Sequence, residues 1–373
     1  MIICFTGDLF LGGDLLTSCS NKIIQIKEFN EADFRVVNLE QAISDNSTEI
    51  NKCTLYTDST SLSHLVNMKV DAVNLAHNHI QDKGLMGIVE TVENLDVVGV
   101  QSFGAGENID KAKQPADIKS GIKIFGYCDF DRPYLKQIEV ADIDRPGVNP
   151  LRLESIEKDL ATLKNNEKAI LYFHWGMEHI NLPKVDEIKL AKTLLEDERV
   201  LTIMGMHSHR FQGVIKHNEK SAYMSLGNFL FPNFYIAPPT KLYYPGKNED
   251  TKMYKKTFYY HDVYKKTYKV WKWINRVSII VLFDTEKGTV TPVFVKQDPD
   301  KPYVKNITGV ELILVKLWFN ILSASLSMPL SIYRVLHVIN VKYMKLFWRI
   351  GVWKFKVLQL GVKGAIKKIF KER

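Results

Sequence analysis

NLAHNHIQDKG, residues Asn74–Gly84, follows KVDAV (Lys69–Val73), a short apolar run that reads as a buried strand. Two histidines and two asparagines stand where that strand runs out, just before a helical pattern, GLMGIVETVENLD, begins at Gly84. The first 230 residues repeat this plan. IICFTGD, FRVVNLE, IKIFGYCDF, KAILYFHWG, VLTIMGMHSH and AYMSLGNFLF are further apolar strand candidates, and LRLESIEKDLATLK and VDEIKLAKTLLEDE are amphipathic helix candidates. Strands alternating with helices predict an α/β fold with sheets covered by helices. VSIIVLFD and TVTPVFVKQ would close the domain near Gln297.

The chain has 373 residues, 46% of them hydrophobic and 25% charged, enough for about two domains or one large domain with an appendage. The net charge of +8 is unevenly spread. Residues 301–373 hold 14 Lys+Arg against 2 Asp+Glu, so the tail carries +12 and the body −4. Such asymmetry points to an anionic partner for the tail. Cys4, Cys19, Cys53 and Cys128 form no CxxC pair, which argues against a zinc ribbon and fits a reducing compartment. MIICFTGDLF starts a strand with no basic n-region or small-residue cleavage site, so no signal peptide is expected.

Two regions depart from the alternation. Residues 232–276, rich in Tyr, Lys and Pro, read as an insertion or lid; the plainer reading is a twisted hairpin. Residues 306–370 are apolar and basic together. Their longest uncharged run, Leu317–Tyr333, is 17 residues long and contains Asn320, four serines and Pro329. Regularly spaced Lys and Arg among apolar residues suit helices lying in a membrane interface better than a span, with packing on the body as the alternative. The division expected is a domain over 1–298 and a basic amphipathic helical membrane-associating region over 299–373.

Nearly every strand of the body ends in residue types that bind metals. Asp8 ends FTGD and Glu40 ends VVNLE. LAHNH offers His77, Asn78 and His79; LYFHWGMEH offers His174, Glu178 and His179; MGMHSH offers His207 and His209. Ligands of α/β folds gather beyond the carboxyl ends of strands. One such motif alone reads as a hydrogen-bonded structural residue; the ordered set does not. Carboxylates, an amide oxygen and imidazoles without a thiolate suit Mn²⁺, Fe²⁺ or Zn²⁺. A shared carboxylate would permit two ions, which together activate water and stabilise displacement at phosphorus. GAGEN (Gly104–Asn108) lacks a full phosphate-loop fingerprint and reads as a tight turn before a helix.

GDLFLGG, NLEQAIS, NLAHNHIQDKG, FGAGENIDKAKQP, FHWGMEH, GMHSHRFQGV and SLGNFLF together resemble the bacterial capsule-synthesis (CapA-like, poly-γ-glutamate capsule) family, a branch of the calcineurin-like metallophosphoesterases. The resemblance covers about residues 1–298 and leaves out the tail. It implies a four-layer α/β/β/α metallophosphoesterase-like sandwich with two divalent ions in its cleft. Carried over by position, Asp8 would bind the first ion, Glu40 would bridge, and Asn78, His174 and His207 would bind the second. His209 would return to the first. His79 would act as acid or electrostatic stabiliser, with Asp82 orienting it or capping the next helix. Two departures stand out. The wider phosphoesterase pattern is Asp-x-His at the first strand, where this chain has Phe10, and the family's usual Asn-Asn is here His77-Asn78. Glu178 could contribute a carboxylate instead.

The expected function is capsule or exopolymer biosynthesis through a metal-dependent hydrolase site. It would act on an anionic cell-envelope polymer or a lipid-linked precursor, with the tail on an anionic membrane at the cytoplasmic face. The alternative is a non-catalytic membrane-associated assembly or export factor that binds polymer, which the missing imidazole favours. A nucleic-acid partner is not expected.

Overall fold

The computed structural model describes residues 1–18, 22–50, 53–118, 121–129, 138–236, 240–241, 262–263 and 266–371. The fold is α/β, with two main sheets. The nine-stranded sheet contains β1 (Ile2–Leu9), β2 (Ile24–Gln25), β3 (Phe34–Leu39), β4 (Ala72–Asn74) and β5 (Gln101–Phe103). It is completed by β12 (Asn228–Leu230), β13 (Val277–Asp284), β14 (Thr289–Gln297) and β15 (Val304–Asn306), in the order β2-β15-β14-β13-β1-β3-β4-β5, with β12 also on β1. The six-stranded sheet contains β6 (Ala116–Ile118), β7 (Ile122–Cys128), β8 (Lys168–His174), β9 (Val200–Met206), β10 (Val214–His217) and β11 (Lys220–Tyr223), in the order β10-β11-β9-β8-β7-β6.

Successive side chains of a strand point to opposite faces, so period-two alternation sorts the core. Ile3 and Phe5 of β1 pack with Ile170 and Tyr172 of β8 and Met204 of β9 in a cluster fed by both sheets. Cys4 and Leu9 of β1 face instead a second cluster with Leu62 and Leu65 of α1 (Leu62–Asn67) and Ile88 and Leu95 of α2 (Gly84–Val97). Leu171 and Phe173 of β8 face a third cluster, built with Ile156 and Leu160 of α3 (Leu153–Ala161) and Ile188, Ala191 and Leu195 of α4 (Val185–Glu196).

The parallel pairs β1–β3, β3–β4 and β1–β12, and the parallel run β7–β8–β9, bring their carboxyl ends to the site. At β1 the approach is close: Asp8 N donates to Gly227 O (3.0 Å), and a Cβ at Gly7 would lie 1.8 Å from that oxygen. Only glycine fits before Asp8, which is why the strand ends in Gly-Asp.

Of the insertion, Phe234–Ile236 pairs antiparallel with Thr267–Lys269, and Trp273–Arg276 forms one helical turn. Most of its Tyr/Lys-rich middle, and Cys19, lie outside the described residues. The tail forms α5 (Gly309–Leu326) and α6 (Leu330–Lys371), the latter with a non-helical Gly361 (φ 70°, ψ 169°). The uncharged run Leu317–Tyr333 is therefore split at Ser327–Pro329, as expected where proline removes a donor and restricts the residue before it. By length and composition alone, α5 could cross a membrane.

Candidate metal centre

Strand register builds the site. Asp8 pairs across from Asn38, and Asn38 from Asn74. Their side chains run as a relay: Asn74 Nδ2 donates to Asn38 Oδ1 (2.7 Å), and Asn38 Nδ2 donates to Asp8 Oδ1 (2.9 Å). This fixes Asp8 and leaves Oδ2 for the cleft. Glu40 follows β3 directly, His174 ends β8, and His207 follows β9.

Two groups of ligand atoms result, Asp8–Glu40–His209 and Glu40–His174–His207, sharing Glu40. Glu40 Oε1 lies 3.7 Å from His174 Nε2; Oε2 lies 3.7 Å from His209 Nδ1, which is 3.4 Å from Asp8 Oδ2. His174 Nε2 is also 2.9 Å from His207 Nδ1 and 2.8 Å from Asn78 Oδ1. All of these residues are buried, Glu40 and Asp8 completely.

This donor set fits a metal. Glu40 Oε1 and Oε2 and Asp8 Oδ2 are buried with no hydrogen-bond donor. An unsatisfied buried carboxylate is among the costliest groups in a protein. His174 Nε2 carries at most one proton, which cannot serve Asn78, His207 and Glu40 together. A cation within each group would satisfy all of these atoms.

Electrostatics point the same way. Burial, then the Asp8 carboxylate, pushes the Glu40 carboxyl well above its usual range. Burial and the neighbouring His207 and His77 push His174 well below its usual value, which favours the neutral ring, the form able to bind a metal. Burial alone would lower His209 too, but Glu40 and Asp8 outweigh it and hold the ring at about 9.

His207 (φ 83°) and His209 (φ 53°) both have left-handed backbone, a conformation costing of order 1–3 kcal/mol each. Such strain persists where surroundings over-determine it. Asn228 Oδ1 sits 2.9 Å from His209 Nδ1, and Asn275 Nδ2 donates to the His209 carbonyl (3.0 Å).

His79 and Asp82 stand beside the centre. Asp82 Oδ2 lies 2.6 Å from His79 Nδ1 and also accepts from Leu55 N (2.6 Å). Asp82 thus orients His79; α2 has no side-chain cap. His77 is fully buried, its Nδ1 accepting from His79 N (3.2 Å) and its ring 5.9 Å from that of His174. Phe10 packs among Phe231, Phe234, Trp271 and Leu55, an aromatic cluster whose Phe231 and Trp271 rings lie against His209. Within GAGEN, Ala105–Gly106 pairs antiparallel with Gly147–Val148 rather than forming a tight turn, and Asn108 caps the helical turn Ile109–Ala112 by accepting from Lys111 N (3.0 Å).

Residues the sequence did not mark include Asn38, Asn275 and Arg210, and Asn74 stood in the opening motif without an assigned role. Amides are too common to signal a role; only register shows that these meet. Arg210, next to His209, is buried and donates to Asn181 Oδ1 (3.0 Å) and Met344 Sδ (3.3 Å). It belongs to a ladder on one face of α6. Tyr333 OH donates to Pro183 O (2.7 Å), His337 Nδ1 lies 3.0 Å from Leu182 O, and Asn340 Oδ1 accepts from Leu182 N (3.4 Å). Positions 333, 337, 340 and 344 share a helical face, which grips the loop after His179.

Fold and site together define an α/β protein whose strand ends deliver a buried centre of carboxylates, imidazoles and amide oxygen. The family described as bacterial capsule synthesis protein PGA_cap matches residues 2–233. The chain belongs to that family. It is 27% identical over 246 residues to the PGA biosynthesis protein CapA of Bacillus subtilis, covering 61% of this chain and 62% of that protein. It is 27% identical over 167 residues to the capsule biosynthesis protein CapA of Bacillus anthracis, covering 43% and 39%. It is also 26% identical over 200 residues to a probable polyglutamine synthesis accessory protein of Mycobacterium tuberculosis, covering 50% and 52%. The chain thus matches less than two thirds of the length of each of these relatives.

Proposed function

We propose that this protein serves capsule or poly-γ-glutamate biosynthesis as a metal-dependent hydrolase of phosphoesterase type, acting on an envelope polymer or its lipid-linked precursor. The observation that carries this reading is Glu40: a buried carboxylate with one oxygen toward His174 and the other toward Asp8 and His209. Two sheets with a shared core and helices on their outer faces are what a four-layer phosphoesterase sandwich requires. Asp8, Glu40 and His209 would hold one ion; Glu40, Asn78, His174 and His207 would hold the other. When bound, such ions supply water activation and charge neutralisation at phosphorus. The chain's own part is positional. The Asn74–Asn38 relay fixes Asp8, and Asn228 and Asn275 fix His209. Asp82 engages His79 at Nδ1, so Nε2 is the atom that exchanges a proton with the substrate.

The test is hydrolysis of a phosphodiester probe by Mn²⁺-loaded protein, wild type beside Asp8→Ala. Turnover in wild type and a loss of about 10³-fold in the variant are expected, comparable to deleting one strong electrostatic contact in other enzymes. Equal turnover would sink the reading. Phe10 in place of an imidazole favours a second reading, an assembly factor whose centre binds polymer without cleaving it. It predicts no turnover but polymer binding that chelation abolishes.

The tail supports membrane association. Val310, Ile313, Leu314, Leu317 and Ile321 form an exposed apolar stripe on α5, opposite buried Val315, Phe319 and Leu322. Ile332, Val335, Ile339, Leu346 and Ile350 continue it on the outer face of α6, among exposed Arg334, Lys342 and Arg349. An apolar and cationic outer face matches an anionic bilayer. Replacing Arg334, Lys342 and Arg349 together by Gln should weaken co-sedimentation with phosphatidylglycerol vesicles on the order of a hundredfold. Unchanged sedimentation would exclude the tail as the contact.

A further inference from the structure

The metal centre gathers buried acceptors that lack donors. Next to it, the chain gathers buried donors that lack acceptors. Arg210 follows His209 directly and is 6% exposed. Its side-chain hydrogen bonds leave from Nη1, to Asn181 Oδ1 (3.0 Å) and Met344 Sδ (3.3 Å). Nε is buried with no acceptor, and among the described residues no carboxylate pairs with the guanidinium. Because Asn181 Oδ1 accepts from Arg210, Nδ2 is the donor end of that amide, and it too is buried with no acceptor. A buried charge without a counter-charge is costly. Burial lowers the guanidinium to about 10, against an opposing effect of Tyr343, so it stays charged at neutral pH. The Nε–Nη2 edge is the one that takes a phosphate through two parallel bonds.

The loop between β8 and α4 holds Asn181 in place. Gln212 Nε2 donates to Ile180 O (2.8 Å), and His337 and Asn340 of α6 hold Leu182 on the other side. His179 ties the pair to the centre. Its N–H donates to Ser208 O (2.7 Å), and its ring lies 5.6 Å from the His209 ring. Asn275 Nδ2 donates to its Nδ1 (3.2 Å), which leaves the ring proton on Nε2 as a further donor. The charges of Arg210 and Lys269 both act on this ring. Lys269 Nζ sits 4.1 Å from the centroid of Trp271, whose own ring is 5.4 Å from that of His209. This flank is therefore cationic and rich in donors, which is what an anion requires.

We infer that Arg210, through its Nε–Nη2 edge, and Asn181, through Nδ2, form a subsite for a phosphate group beside the Asp8–Glu40–His209 ion site. The inference deepens the phosphoesterase reading and rests on it for the role of that phosphate; the unmet donors stand without it. Two sources of phosphate are at hand. One is a substrate that carries a second phosphate next to the bond at the metal centre. The other is the headgroup of a phospholipid, since Met344 of α6 touches Arg210 and the outer face of α6 is the proposed bilayer contact.

The test is calorimetric titration of inorganic phosphate into the full-length protein, Mn²⁺-loaded and metal-free, in wild type, Arg210→Met and Arg210→Lys. Methionine keeps the packing of the stem and removes the buried charge. Lysine keeps the charge and can donate to Asn181 Oδ1, but it has no two-pronged edge. Phosphate affinity should fall at least about tenfold in Arg210→Met, the loss of a charge-assisted pair, and less in Arg210→Lys. Mn²⁺ stoichiometry should match wild type in both variants, which reports that they are folded. Equal phosphate affinity in all three proteins would overturn the inference, as would a wild-type protein that binds no phosphate. A wild-type chain that takes up no Mn²⁺ yet binds phosphate through Arg210 would sink the metal reading and leave the subsite. Co-sedimentation with phosphatidylglycerol vesicles separates the two sources. A parallel loss in Arg210→Met makes the headgroup the occupant; unchanged sedimentation with lost phosphate binding makes it a phosphate of the substrate.

Discussion

Glu40→Gln will bind neither ion at concentrations that saturate the wild-type protein. Each ligand group has its own imidazoles, but both use Glu40, Oε1 on one side and Oε2 on the other. Glutamine keeps the volume and one oxygen, removes the charge, and places an amide N–H₂ group where one cation would sit. Loss of an outer partner alone typically costs 10–100-fold in metal affinity, so losing the shared carboxylate should cost more than about 100-fold at both sites. The fold should persist, because the substitution replaces a buried carboxyl whose oxygens have no hydrogen-bond donor and which burial and Asp8 already push toward its uncharged form. Calorimetric titration with Mn²⁺ beside a thermal melt checks both halves. Loss of one ion only would mean that Glu40 does not bridge.

The apparent affinity of the Asp8–Glu40–His209 site will rise with pH, by about tenfold per unit for each proton released on binding. The sign follows from His209. Its ring is held at about 9 by Glu40 and Asp8, against the effect of burial. Below that pH the metal-free ring is an imidazolium, and its Nδ1 proton lies between Asn228 Oδ1 and the two carboxylates. A metal needs that nitrogen neutral, so binding expels the proton, and the gain flattens above about 9. Between pH 6 and pH 8 the change should approach a hundredfold. His174 is already neutral, because burial and its neighbouring imidazoles depress it; a proton on the shared Glu40 carboxyl, which burial and Asp8 push up, is lost for either ion, so the His209 proton is what sets the two sites apart and the other site should fill first as pH rises. Titrations at several pH values, in buffers of different protonation enthalpy, measure the proton count. Equal, flat affinities at both sites would contradict this electrostatic picture.

Much of the site was legible because strand ends are legible. An apolar run that stops at Asp, Glu or His announces a side chain delivered beyond a sheet, and Asp8, Glu40, His174, His207 and His209 meet as that pattern implies. The supporting amides were not legible. Asn38 and Asn74 lie inside strands, and their relay to Asp8 exists only because register sets the three residues side by side. Asn275 lies near the end of an insertion whose composition suggested a lid, yet it anchors His179 and His209. The tail was legible as helical, but not in how its faces divide. Both sides of α5 and α6 are apolar, so spacing alone could not tell that Phe319, Leu322 and Tyr333 pack inward while Leu317, Ile321 and Ile332 stay exposed. Nor could it show that Tyr333, His337, Asn340 and Met344 grip the segment beside His179 and Arg210.

The most direct test of the central claim is the metal content of the purified protein, by elemental analysis after reconstitution with Mn²⁺ and removal of excess ion. Two equivalents per chain are predicted, because two ligand groups share one buried carboxylate. A chain that retains no metal would contradict the account, leaving Glu40, Asp8 and His174 as a buried polar cluster balanced only by the His209 imidazolium.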